Sequence, residues 1–197
     1  MIAANPAEGS SMSPELRAAL LVRLEPLGAL DRALLRQAAV IGPWFDIDVL
    51  AAASRRPVPE LRTALERACE LQLLAPDREI RGRYCFRHAL TREAIYSELL
   101  AHHLRPLHRA IGTVLEVAPA AGQGTVDELA YHWWAAGDRK RGSRYCEEAG
   151  DRAAALHAEE QALVYFGRAL NLLDGRTRAY ARVADKIHRI NMHRSTA

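Results

Sequence analysis

YCFRHALTREAIYSELL, residues 84–100, changes its hydrophobic period partway along. Tyr84, Phe86 and His88 alternate with Cys85 and Arg87, the two-residue period of a half-buried strand. From Leu90 onward Ala94, Ile95 and Leu99 recur at helical spacing. His88 stands at the switch. The residues before it read as a small helical domain closed by that strand, and the residues after it read as paired helices.

Upstream of the stretch the helices are marked by local chemistry. Ser13-Pro14-Glu15 is a helix start, a capping serine followed by proline at the first helical position. Leu16, Leu20, Leu24 and Leu27 form its apolar stripe, ended or bent by Pro26 and Gly28. A second helix is predicted from about Ala29 to Ile41, with Leu30, Leu34, Ala38 and Ile41 inward and Gly42-Pro43 as its stop. Trp44 and Phe45 read as buried anchors. Asp46 caps a short third helix, Ile47 to Ala53. A turn through Arg55 and Pro57 leads to a fourth helix opening near Pro59, whose apolar face is Leu61, Ala64, Leu65, Ala68 and Leu71.

Leu73-Leu74-Ala75 then reads as a short strand, and Arg83 to His88 as its return, with turn signals at Pro76-Asp77 and Arg81-Gly82. Helices succeeded by a hairpin that folds back on them make a winged helix. Downstream, a helix is expected from Thr91 to His103, with Pro106 restarting another. Pro119 to Gly124 is a small-residue loop and a candidate seam. Thr125 with Glu128 is a capping box. Gly142, Tyr145 and Ala149 have the spacing of Ala162, Tyr165 and Ala169, which lets helices approach closely in hairpins. The tail from Arg176 has a poorer helical pattern and is expected to fray toward Ala197.

The expected fold is therefore mainly α. Residues 1–12 form a disordered tail, 13–103 a winged helix and 104–190 tetratricopeptide-like α-hairpins. Composition agrees, since 49% of the 197 residues are hydrophobic and only 6% aromatic, a helix-forming vocabulary. A formal net charge of +3 with interspersed signs permits nucleic-acid binding without arguing for it. Three separated cysteines with no CxxC fit a reducing cytoplasm. No apolar run approaches membrane-spanning length.

Candidate chemistry is sparse. His88 reads either as a phosphate contact or as a histidine that caps the following helix or fills a core gap. His102, His103 and His108 resemble a metal cluster, but adjacent His102 and His103 are expected to point to different sides of a helix, and no carboxylate or cysteine completes the set. The fourth helix carries Arg62, Glu66, Arg67 and Glu70 outward, a poor face for phosphate. The wing carries Arg78, Arg81 and Arg83, the candidates for DNA contact. Trp133 is core by spacing, and Trp134 is the candidate protein-binding residue. The chain has no GxxxxGK[ST], no nucleophile elbow and no paired carboxylates in a strand context.

The runs LLRQAAVIGPWFDIDVLAAA, LRTALERACELQLLAP, YCFRHALTREAIYSELL and RPLHRAIGTVLE together resemble the segment after the nucleotide-binding module in bacterial AAA/STAND-type signal-transduction ATPases. Such regulators are found joined to LuxR-type, adenylate cyclase or kinase domains. DELAYHWWAAGDRKRGSRYCEEAGDRAA resembles the start of their tetratricopeptide-like array. The resemblance spans roughly residues 13–174, and its most specific piece is the Phe-x-His of Phe86 and His88. It implies a winged helix that packs on an ATPase and a histidine, here His88, that contacts nucleotide phosphates. Ala89 stands where relatives in animals and plants often have an acid. The P-loop, Walker B acids and output domain lie outside this sequence. The expectation is a non-catalytic regulatory and protein-interaction piece of such a regulator, cytoplasmic and without a membrane partner. It has no cofactor of its own, and ATP or ADP would bind only with a separate ATPase domain. The alternative is a free-standing winged-helix transcription factor.

Overall fold

The computed structural model describes residues 12–117 and 125–196. The expected disordered tail at 1–12 lies, save for Met12, outside the described residues, as does the loop at 119–124. The chain divides into two compact units, one reaching residue 121 and the other starting at 122. Among the described residues it is a mainly helical protein with ten helices and one small antiparallel sheet.

In the first unit the order is α1 (Pro14–Val22), α2 (Ala29–Ile41), β1 (Trp44–Asp46), α3 (Ile47–Ser54), α4 (Val58–Glu70), β2 (Leu74–Pro76), β3 (Arg83–Phe86), α5 (Ala89–Ser97) and α6 (Ala101–Val117). The start signals act as read. Ser13 Oγ accepts from the amide of Leu16 at 3.2 Å, and Asp46 Oδ1 from that of Asp48 at 2.9 Å. Leu34, Ala38, Leu61, Leu65 and Ala68 are buried, as the periodicity requires. Leu16 and Leu30 are exposed instead of inward, because each belongs to the first turn of its helix, ahead of the core.

The sheet has three strands where two were expected, in the order β1-β3-β2. Phe45 pairs with Tyr84 on one side of β3, and Pro76 pairs with Tyr84 on the other. Successive side chains of a strand point to opposite faces. Phe45 is accordingly fully buried, with ring centroids 6.0 Å from both Tyr84 and Phe86, whereas Trp44 is 45% exposed and is no buried anchor. The turn between β2 and β3 is held by Asp77, whose side chain accepts from the amides of Glu79 and Ile80 at 2.8 and 3.1 Å. Those two bonds also hold its carboxyl below the usual range. Gly82 closes the turn at φ +86°, a conformation that favours glycine, and its carbonyl accepts from the amide of Ile47 at 2.8 Å, tying the turn to α3.

Two boundaries differ from the sequence reading. The expected helix from Thr91 to His103 is broken between Ser97 and Ala101, and Pro106 lies inside α6 instead of opening it. Near the start of a helix a missing N–H costs a single bond, so proline is tolerated there. Helix α6 packs on α2 and α3, so the first unit runs past the expected boundary at 103/104.

The second unit contains α7 (Val126–Ala135), α8 (Arg139–Ala155), α9 (Glu159–Leu172) and α10 (Arg178–Thr196). The capping box is formed: the amide of Glu128 donates to Thr125 Oγ1, and the amide of Thr125 to Glu128 Oε2. Small residues set the helix spacing. A Cβ at Gly142 would meet the Trp133 carbonyl oxygen at 3.0 Å, and one at Gly150 would collide with the Phe166 ring. Ala130, Cys146, Ala149, Ala162, Tyr165, Phe166 and Ala169 fill the core. The tail is more regular than its pattern suggests, up to Thr196. It forms α10, which buries Val183 and is bound to α8 by ion pairs. Among the described residues no helix is long and apolar enough to cross a membrane.

Candidate functional site

His88 is the residue before α5, with extended backbone (φ −131°, ψ 129°). Its carbonyl accepts from the amide of Thr91 at 3.0 Å, and its side chain makes no capping bond. The imidazole is exposed, as are Ala89 and Leu90 in the first turn. The side chain therefore neither caps the helix nor fills a core gap. An exposed imidazole beside an uncapped helix start suits an anionic group, since the first-turn amides and the helix dipole both favour negative charge there. That arrangement fits one phosphate contact. It offers no cradle for a whole nucleotide, and the chain contains no GxxxxGK[ST].

The three arginines of the hairpin differ in exposure. Arg78 and Arg81 are exposed in the turn, while Arg83 is half-buried in β3, opposite Asp46 in the β1 register. The outward face of α4 is mixed: Glu60, Arg62, Glu66, Arg67 and Glu70 are exposed. Arg67 is also drawn off by Asp31, at 3.1 Å. Such a face repels phosphate about as much as it attracts it.

Trp133 is fully buried and Trp134 half-buried, as their spacing divides them. Trp134 is not a bare platform, because Arg168 lies over its ring at 4.5 Å. His102 and His103 do not point apart. Their ring centroids are 4.0 Å from one another and both line the same cleft. Positions 102, 103, 106 and 107 of α6 have the 3-and-4 spacing of one broad helical face, which places neighbours 102 and 103 on the same side. Among the described residues no group of three His, Cys, Asp or Glu could hold a metal ion.

A polar cluster inside the first unit carries no signal in the sequence. His108 is 1% exposed, and burial pushes its pKa down to about 3, helped by the charge of Arg92. Its Nε2 is 3.1 Å from the hydroxyl of Tyr96. Buried Arg92 donates from Nε to the carbonyl of Ala39 at 2.9 Å. Tyr96 and His108 thus join α5 to α6, and Arg92 joins α5 to α2. The thiols are poor nucleophiles: burial raises the pKa of Cys69 and Cys85, and that of Cys146 to about 12.

Comparison with known protein families, with curated proteins and with solved structures finds no match to this chain.

Proposed function

We propose that the chain is a non-catalytic regulatory and protein-interaction module, a winged helix followed by tetratricopeptide-like hairpins, working with a nucleotide-binding ATPase domain of the AAA/STAND type in the cytoplasm. The observation that carries this reading is the pairing of two kinds of surface. The element order α2, β1, α3, α4, β2, β3 of the first unit supports the winged-helix reading, yet α4 turns a mixed, partly neutralised face to solvent. The second unit is a run of consecutive packed helices of the sort that stacks into interaction arrays. In this reading His88 contacts a phosphate only when an ATPase domain supplies the rest of the nucleotide site. ATP or ADP is then the partner's ligand and not a cofactor of this chain.

The exposed Arg78 and Arg81 favour a second reading, a winged-helix transcription factor that binds DNA through its hairpin. Titration of the intact chain with a mixed-sequence fluorescent duplex at low salt separates the two. The regulatory reading expects no saturable binding. Salt-sensitive binding that weakens in the Arg78→Ala, Arg81→Ala double variant would establish the DNA reading instead. Tight binding of ADP by the chain alone would sink the regulatory reading from the other side.

A further inference from the structure

Helix α10 packs on α9 and reaches α8 through ion pairs. It is seated unlike its neighbours. Helix α8 buries Cys146, Ala149 and Ala153, and α9 buries Tyr165, Phe166 and Ala169, whereas Val183 is the one buried side chain among the described residues of α10. Ile187 and Ile190 pack against the same core but stay half-buried. Val183, Ile187 and Ile190 are spaced by four and three residues, so they form one narrow apolar stripe.

Charge sets the register of this seat. Arg182 Nε and Nη2 donate to the two oxygens of Glu147, each at 2.7 Å. Lys186 Nζ donates to Glu147 Oε1 at 2.8 Å and to Asp151 Oδ2 at 2.7 Å, and lies 5.6 Å from the centroid of the Phe166 ring. The two cations are one turn apart on α10, as the two carboxylates are on α8, and each cation directly precedes an aliphatic residue, Val183 or Ile187. The Arg182 and Asp151 side chains are more than half exposed, so water and salt weaken the clasp. A helix with so little buried apolar surface and solvent-facing bonds opens locally while the rest of its unit stays folded. The surface beneath it combines an acidic edge with an apolar floor, a fit for a helix of this chemistry.

We propose that this seat on α8 and α9 is a docking site for a basic amphipathic helix of a partner protein, and that α10 occupies it as an internal competitor. The partner helix carries two cations four residues apart, each followed by an aliphatic residue, with a third aliphatic residue three positions after the second. Glu147 and Asp151 take the cations, and the aliphatic stripe lies on the core that includes Phe166. Residues 173–177 are a short tether that holds α10 near its seat at an effective concentration on the order of mM, and the partner helix must displace it. The site belongs to the second unit alone and needs no nucleotide or ATPase domain, so it is tested independently of His88.

The probe is a fluorescent peptide of residues 178–196, titrated into the full chain and followed by anisotropy. The unsubstituted chain should bind it weakly, because its own α10 competes. The Arg182→Glu, Lys186→Glu chain repels its own α10 from Glu147 and Asp151 and should bind the peptide at least about tenfold more tightly. Adding Glu147→Arg to that chain should abolish binding, and a peptide carrying the same two glutamate substitutions should not bind it. Amide exchange of the unsubstituted chain is the second measurement, in which α10 should exchange by local opening, faster than α8 and α9. If the double variant fails to fold, the exchange rates of the unsubstituted chain still decide. No binding by a double variant whose α7, α8 and α9 remain protected, equal binding by the double variant and the unsubstituted chain, binding that survives Glu147→Arg, or α10 amides as well protected as those of α8 would each overturn the proposal.

Discussion

The hydroxyl of Tyr96 lies 3.1 Å from Nε2 of His108, a hydrogen bond between α5 and α6 in the buried interior of the first unit. The histidine is neutral there, since burial holds its pKa at about 3. In the unfolded chain it titrates near its ordinary value of about 6.5. The folded value is the lower of the two, so below about pH 6.5 the unfolded state takes up a proton that the native state does not. Stability is then full above about pH 6.5 and falls by up to about 1.4 kcal/mol per pH unit toward about pH 3. In His108→Gln, which keeps a hydrogen-bonding side chain, that slope should flatten. Hydrogen exchange of peptides from α5 and α6, compared between about pH 7.5 and about pH 5.5, checks this, with stability profiles running parallel in the two proteins as the contrary result.

In the second unit, Glu147 on α8 takes Arg182 in two bonds of 2.7 Å and Lys186 in one of 2.8 Å, and Lys186 also reaches Asp151 at 2.7 Å. The Arg182 bonds above all, with help from Lys186, bring the Glu147 pKa to about 2. Its folded pKa is depressed, so its contribution is present above about pH 4.3 and is lost as pH falls from there toward about 2. Much of the network faces solvent, where ion pairs contribute little. Glu147→Gln should speed amide exchange along α10 while leaving α7 unchanged, and high salt should do the same to the unsubstituted chain.

Two glycines of the same unit should respond oppositely to alanine. Gly150 faces the buried Phe166 ring, and Gly150→Ala should destabilise by about 1–3 kcal/mol through overpacking. Gly167 is inside α9 with nothing within 4 Å of a Cβ placed there, so Gly167→Ala should stabilise by up to about 1 kcal/mol. Thermal unfolding of both variants reads the sign directly. Two changes of the same sign would mean that α8 and α9 are not packed as closely as Gly150 indicates.

Phe45 tests whether β1 belongs to the core. It is fully buried between Tyr84 and Phe86. Phe45→Ala should cost about 3–5 kcal/mol, whereas Trp44→Ala, one residue away on the exposed face, should cost far less. Denaturant unfolding of the two variants separates them, and similar losses would argue against the strand.

The sequence discloses those parts of the fold that local chemistry signs. Ser13, Asp46 and the Thr125–Glu128 box cap the helices whose starts they mark, and Leu61, Leu65 and Ala68 face inward at helical spacing. Contacts set by distant partners are not legible. Strand β1 is three residues long, too short to show a period, and exists because β3 pairs with it. The break between α5 and α6 carries no glycine or proline, while Pro106, the visible breaker, sits harmlessly one turn into α6. His88 stands at the entrance to α5, where the change of period puts it, but nothing in the sequence shows that its side chain stays out of the cap. Arg92 looks like a surface residue of an amphipathic helix, and only the approach of the Ala39 carbonyl explains its burial.

If this chain serves a separate nucleotide-binding ATPase domain, the gene for that domain should lie beside its own. The DNA flanking the coding region is therefore the first thing to sequence, followed by copurification with whatever P-loop protein those flanks encode. The expected result is an adjoining frame with GxxxxGK[ST], whose product retains ADP better with this chain than with its His88→Ala variant. Flanks with no nucleotide-binding frame, or a P-loop neighbour whose ADP affinity ignores both the chain and His88, would contradict it.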